Sequence, residues 1–170
     1  MSDHAPFDAA DYLLEPGGAR LRRTTQADAD TLGPAITGID PWARHGMSAE
    51  RMTGFLAGSN ETLRCFTIRR DSELAGVVAV RYPWLSGPYL TLLAVLPAYQ
   101  GTGIGGAALA WMEGEALAAG ARNCFLCVSA FNSAAHGFYL RNGYADAALL
   151  DELITDGEDE ILMRKRLIQG

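Results

Sequence analysis

An apolar run, Leu90-Thr91-Leu92-Leu93-Ala94, leads directly into V-L-P-A-Y-Q-G-T-G-I-G-G over Val95 to Gly106. A helix-forming stretch follows, Ala107-Ala108-Leu109-Ala110-Trp111-Met112-Glu113. Strand, glycine-rich turn and helix N-terminus in that order commit the middle of the chain to a β-turn-α unit. Such a unit makes a site for an anion, most often a phosphate, because the turn's N–H groups and the positive end of the helix dipole point outward together. Gly101, Gly103, Gly105 and Gly106 are expected to let the backbone approach a ligand that a Cβ would block. The turn matches neither of two familiar phosphate loops. No lysine follows the glycines, as Walker A requires, and their spacing is not the G-x-G-x-x-G of a dinucleotide fold.

The rest of the chain reads around this unit. A short strand at 19–23 precedes Thr25 and Asp28, which form a capping-box pattern for a helix over 27–37 with a kink at Gly33-Pro34. Ser48 opens a second helix over 48–57. Strands at 63–69 and 74–81 flank Arg70-Asp71-Ser72-Glu73, a hairpin signature. The strand at 89–96 and another at 123–129 are joined by a helix and must run parallel. A helix over 133–141 ends in Asn142-Gly143, and strands at 144–150 and 161–167 are joined by a loop over 151–160. The expected fold is α/β, a mixed seven-stranded sheet with helices on both faces, in the order β-α-α-β-β-β-α-β-α-β-β. Residues 1–17 read as an N-terminal extension whose order the sequence leaves open, and 18–170 as one domain.

Composition narrows the partners. At 170 residues the chain can bury roughly two thirds of its unfolded surface in one domain. A net charge of −6 argues against nucleic acid, which needs clustered Lys and Arg. No apolar run reaches the length of a membrane span, and residues 1–11 lack the basic start and apolar core of a secretory signal. A cytoplasmic location without membrane association is expected. Cys124 and Cys127 sit three apart on a predicted strand and so face opposite ways, which makes them buried thiols rather than a metal pair. No metal site is expected.

Two motifs carry a family resemblance. Gln100-Gly101-Thr102-Gly103-Ile104-Gly105 fits Q-x-x-G-x-G, with Pro97 three residues upstream, and is similar to the pyrophosphate-binding loop of the GNAT acetyltransferases. Asn132, Ala135, Phe138, Tyr139, Gly143 and Tyr144 fit that family's N-x-x-A-x-x-[LF]-Y-x-x-x-G-[FY] without a gap. The expected element order also resembles the GNAT fold. The resemblance implies acetyl-CoA as co-substrate. Backbone groups of Leu93, Ala94 and Val95 would face its pantetheine arm, and the N–H groups of residues 101–106 (Gly101, Thr102, Gly103, Ile104, Gly105, Gly106) its pyrophosphate. Gln100 would add a side-chain donor.

The same resemblance gives Asn132 an amide contact to the pantetheine arm, although Asn before a helix is also among the best N-caps. It makes Tyr139 the general acid that protonates the departing thiolate, where an aromatic on a helix face could otherwise serve packing alone. Within the family the chain most resembles the ribosomal-protein N-terminal alanine acetyltransferases, through Pro41-Trp42 and the closing stretch 156–163. Those enzymes use a glutamate five residues before the motif asparagine as base, and Cys127 stands there instead. The base then lies elsewhere or water relays the proton. Ser129 is a candidate to hold a relay water, and Asp151, Glu152, Asp156, Glu158, Asp159 and Glu160 crowd the last inter-strand loop, where carboxylates could attract a cationic amine. Trp42, Tyr82 and Trp84 are candidate walls of an acceptor pocket.

The expected function is acetyl transfer to a primary amine, whether a peptide N-terminus, a lysine or a small amine. The alternative is a silent acyl-CoA-binding module of the same fold. Homodimers are frequent in the family, so a homodimer is one expected assembly.

Overall fold

The structure is a computed structural model that describes residues 5–58 and 60–167. Its centre is the hairpin read from the sequence, β3 (Leu63–Arg70) and β4 (Glu73–Trp84), turned through Asp71 and Ser72, both at positive φ. Alternation along β4 divides the core. Val78 and Val80 face one side of the sheet, Val77 and Ala79 the other. On the second side α1 (Gln26–Thr37) and α2 (Ala49–Ala57) cover the sheet with Leu32, Ile36, Met52 and Leu56. On the first side Ile104, Leu109 and Met112 of α3 (Ile104–Ala118) do the same.

The capping box at Thr25 and Asp28 is formed, and Ser48 caps α2. α1 runs unbroken through Gly33-Pro34, with Pro34 inside the helix. Gly33 is there for packing, since a Cβ would lie 2.0 Å from Thr53 Oγ1 on α2.

The sheet has eight strands, one more than expected, in the order β1-β2-β3-β4-β5-β6-β8-β7. The extra strand, β1 (Asp11–Leu14), lies within the predicted extension and pairs antiparallel with β2 (Ala19–Arg23). Ahead of it Phe7 is fully buried against Trp111 of α3, 5.4 Å between centroids, and Glu115 accepts from Phe7 N and Tyr12 Oη. Residues 1–4 of that extension lie outside the described residues. Phe7→Ala is expected to destabilise the fold by about 3–5 kcal/mol, the usual cost of an emptied aromatic site. Urea unfolding of the two proteins measures it.

Two further elements set the site. β5 (Gly87–Val95) and β6 (Asn123–Ser129) run parallel as predicted, yet pair only at Tyr89↔Phe125 and Leu90↔Leu126. Beyond those pairs they diverge. Thr91 lies where the register between β4 and β5 slips, between Ala79↔Leu92 and Val80↔Leu90, so a bulge marks the point of divergence. The expected loop over 151–160 is instead strand: β7 (Ala145–Thr155) turns through Asp156-Gly157 into β8 (Glu158–Arg166). β8 then pairs antiparallel with β6, which sets Glu160 opposite Ser129.

Candidate active site

The divergence of β5 from β6 opens a cavity of about 960 Å³ that runs to the glycine turn. Its floor is β5 from Tyr89 to Val95. β4 satisfies one edge of that strand through Gly76↔Val95, Val77↔Ala94 and Val78↔Leu93. On the other edge β6 has moved away, so alternate N–H and C=O groups of β5 face the cavity instead of a strand. Leu93, Ala94 and Val95 all line it.

At the far end lies the start of α3. Thr25, Ser48 and Asn132 cap the other three helices through their side chains, whereas Gly103 at the N-cap of α3 offers none. The first N–H groups of α3 are therefore without a side-chain partner and lie at the positive end of the helix dipole, beside the cavity. Gly101 and Gly103 have φ +74° and +88°, and a Cβ on either would meet nothing within 4 Å. Gly105 lines the cavity and also meets a packing need. A Cβ there would lie 3.1 Å from Phe138 Cζ, so this glycine lets α3 pack against α4 (Ser133–Arg141).

The remaining predicted residues are placed as follows. Gln100, Ile104 and Gly106 line the cavity, but Gln100 Nε2 donates to Val95 O at 3.0 Å, which commits one of its two N–H groups to bracing the turn. Thr102 is not among the lining residues; its hydroxyl donates to Tyr99 O at 2.5 Å and fixes the turn from outside. Asn132 caps α4 through Oδ1, accepting from Ala135 N at 3.2 Å, and its amide nitrogen remains as a donor on the cavity wall. Tyr139 lines the cavity on α4, and burial pushes its phenol up to about 12. It is held as a protonated phenol across the neutral range, the form a general acid needs.

Trp42 lines the cavity, as expected of an acceptor wall. Tyr82 does not; it packs on Phe7 at 5.5 Å in the core under α3. Trp84 does not line it either; it meets Tyr89 tilted at 4.8 Å and Phe125 edge-on at 5.1 Å.

Cys127 faces the cavity while Cys124 is fully buried, as opposite strand faces require. Burial raises the Cys127 thiol. Among the described residues no group of three or more His, Cys, Asp or Glu could hold a metal ion. No described helix is long and apolar enough to cross a membrane.

Two of the candidates, Glu160 and Ser129, meet in the cavity, beside His45, Arg51 and Arg141, which went unread. Glu160 is 2% exposed and accepts from Ser129 Oγ at 2.6 Å. His45 approaches Ser129 Oγ with Nε2 at 2.9 Å and Thr155 Oγ1 with Nδ1 at 2.8 Å. Arg51 and Arg141 add cationic groups to the lining. Of the other acidic candidates, Asp151 and Asp156 are exposed and do not line the cavity, and three are engaged elsewhere. Glu158 pairs with Arg44 at 2.6 Å, Glu152 accepts from Gly157 N, and Asp159 accepts from Glu152 N.

A splayed pair of parallel strands feeding a glycine turn and an uncapped helix fits the sequence motifs found there, and comparison with known proteins decides the family. The model of the acetyltransferase (GNAT) family matches residues 29–144. The chain belongs to this family. An uncharacterised N-acetyltransferase of Methanocaldococcus jannaschii is 36% identical over 106 residues. The match takes in 60% of this chain and 66% of that relative, slightly less than two thirds of its length.

Among solved GNAT structures, the ribosomal-protein-S18-alanine N-acetyltransferase of Escherichia coli superposes with a TM-score of 0.70 at 22% identity, over 89% of this chain and 96% of that one. The PaiA N-acetyltransferase of Thermoplasma acidophilum, in complex with coenzyme A, gives 0.65 at 24% identity, over 87% and 98%. At such identities the likeness is one of fold. Glu160 lies beyond the GNAT-matched stretch, so its place in the cavity comes from this chain's own geometry.

Proposed function

We propose that this chain is an N-acetyltransferase that carries the acetyl group of acetyl-CoA directly to a primary amine, on a peptide N-terminus, a lysine or a small molecule. One observation carries the reading: the unpaired edge of β5, the uncapped start of α3 and the Tyr139 phenol all open into one cavity. That is the complement an extended thioester with amides along its arm and a diphosphate at its end would need. The M. jannaschii relative, described as an N-acetyltransferase, supports the same reaction class.

Acetyl-CoA supplies an activated acetyl group as a thioester. The outward N–H and C=O of Leu93 and the N–H of Val95 would hold the pantetheine amides, with Ala94 between them lining the arm and the Asn132 amide nitrogen as a further donor. The N–H groups of residues 101–106 would bind the pyrophosphate, with the free N–H of Gln100 beside them and Thr102 bracing the turn. The amine lone pair forms the new C–N bond as the C–S bond breaks. Tyr139 gives its phenolic proton to the leaving thiolate and is reprotonated by the proton that the acceptor nitrogen sheds as the amide forms. The Cys127 thiol, raised by burial and so kept neutral, is a poor nucleophile, which favours direct transfer over an acyl-cysteine.

The test is thiol release from acetyl-CoA in the presence of a panel of amines and N-terminal peptides. Release with at least one acceptor is expected. Tight acetyl-CoA binding without turnover across the panel would make the chain a silent acyl-CoA-binding module instead.

A further inference from the structure

The reaction leaves one proton without a destination. An amine acceptor arrives largely as its ammonium ion and must lose a proton before its nitrogen can attack, and Cys127 occupies the position where relatives of this pattern would carry a carboxylate. Within the cavity, Glu160 is a carboxylate that meets the requirement. It projects from β8, opposite Ser129 of β6, into the same space as Tyr89, Cys127 and Tyr139. The hairpin turn at Asp156-Gly157 is what places it there.

The contacts around Glu160 have a single consistent direction. Ser129 has one hydroxyl proton, and its 2.6 Å contact to an acceptor-only carboxylate uses it. The 2.9 Å contact from His45 to the same oxygen must then be Nε2–H donated to Ser129. In the tautomer with its proton on Nε2 alone, the ring keeps a lone pair on Nδ1 to accept from the Thr155 hydroxyl at 2.8 Å, and the same Nε2 lies 3.5 Å from Glu160 Oε1. Every hydrogen in the chain Thr155–His45–Ser129 points toward Glu160 and ends on Oε1, leaving Oε2 without a demand from this chain.

His45 is clamped on its other side. Its ring meets Phe131 edge-on at 5.4 Å, the Arg44 guanidinium stands 4.1 Å over Phe131, and Arg44 pairs with Glu158. The charged and titratable groups around the carboxylate are thus Tyr89 from β5, Cys127 from β6, Tyr139 from α4, and His45 with the Arg44–Glu158 pair behind it.

We propose that Glu160 is the general base of this site, taking the proton of the acceptor ammonium, and that Ser129 and His45 are positioning residues that aim its carboxylate. The inference rests on the acetyl-transfer reading. In the step itself the ammonium N–H bond breaks, the proton passes to a Glu160 oxygen, and the freed lone pair attacks the thioester carbon. The proton leaves to solvent with the product.

Glu160→Gln keeps the side-chain shape and still accepts from Ser129. At neutral pH it should lower kcat about 10²–10⁴-fold, the usual worth of a positioned base, with the acetyl-CoA Kd unchanged. The variant's rate should climb about tenfold per pH unit while the acceptor deprotonates by itself in solution, whereas the wild-type profile flattens earlier. Ser129→Ala should lose activity that Ser129→Thr restores. Nitrogen-15 shifts of the wild-type protein should show His45 as the Nε2–H tautomer, a measurement that needs no variant to fold.

Glu160→Gln activity within about threefold of wild type, beyond which a positioned base would show, overturns the assignment while leaving acetyl transfer standing. So does a His45 proton on Nδ1. A wild-type protein that binds acetyl-CoA and acetylates nothing removes the parent reading, and this one with it.

Discussion

Tyr139→Phe is expected to lower kcat for acetyl transfer about 10²–10⁴-fold at neutral pH, the range a positioned general acid supplies, and to leave acetyl-CoA affinity nearly unchanged. The phenol's carbon skeleton packs against Phe138 and Tyr144, with centroids at 5.2 and 6.1 Å, and phenylalanine keeps both contacts. The change therefore removes one proton donor and little packing. A purely structural Tyr139 would shift stability slightly and kcat hardly at all.

The pH dependence has a definite sign. The active form is the protonated phenol, and burial raises it to about 12. Deprotonation of Tyr139 should therefore bring down activity only as pH approaches that value, with no descending limb from this residue near neutrality. Steady-state kinetics of both proteins across pH, with calorimetric Kd values, give the comparison. An equal loss in kcat/KM through KM alone would place Tyr139 in binding and not in chemistry.

Gly103→Glu should all but abolish acetyl-CoA binding, weakening it at least about a hundredfold. Two effects add. At φ +88° any side chain is strained, by roughly 1–2 kcal/mol. The larger effect is the new carboxylate, placed at the uncapped N-terminus of α3, where it competes with a diphosphate for the same N–H groups and repels it. Gly103→Ala separates the two, since it carries the strain without the charge and should cost about tenfold or less. A Gly103→Glu protein that still binds acetyl-CoA as wild type would remove the glycine turn from the cofactor site.

Much of this was legible in the sequence because the signals were local. The β5-turn-α3 unit, the β3–β4 hairpin, the Thr25 capping box and the parallel β5–β6 pair each announce themselves within a short window, and each is formed. What was not legible depends on distant partners. His45 sits in a loop without ligand spacing, and its two partners lie 84 and 110 residues further along the chain.

Glu160 reads as one of a run of loop carboxylates. Its burial follows only from the hairpin, and the available signal was Asp156-Gly157, a dipeptide suited to a tight β-turn. Phe7 is similar: an aromatic in a polar extension gains meaning only once Trp111 and Glu115 of α3 are beside it. The glycines show the same limit, since the pattern that identified the turn could not separate Gly101 and Gly103, at positive φ beside open space, from Gly105, which is spaced for Phe138.

The central claim is that an acetyl group bound along β5 passes directly to an amine in this cavity. Acetyl-CoA labelled with carbon-13 at the carbonyl, incubated with the protein and an acceptor found by the thiol-release panel, tests it by mass spectrometry of both acceptor and protein. The label should appear on the acceptor amine in step with released thiol, and at no time on the chain. Label trapped on Cys127, or thiol released with no label on any amine, would contradict the account.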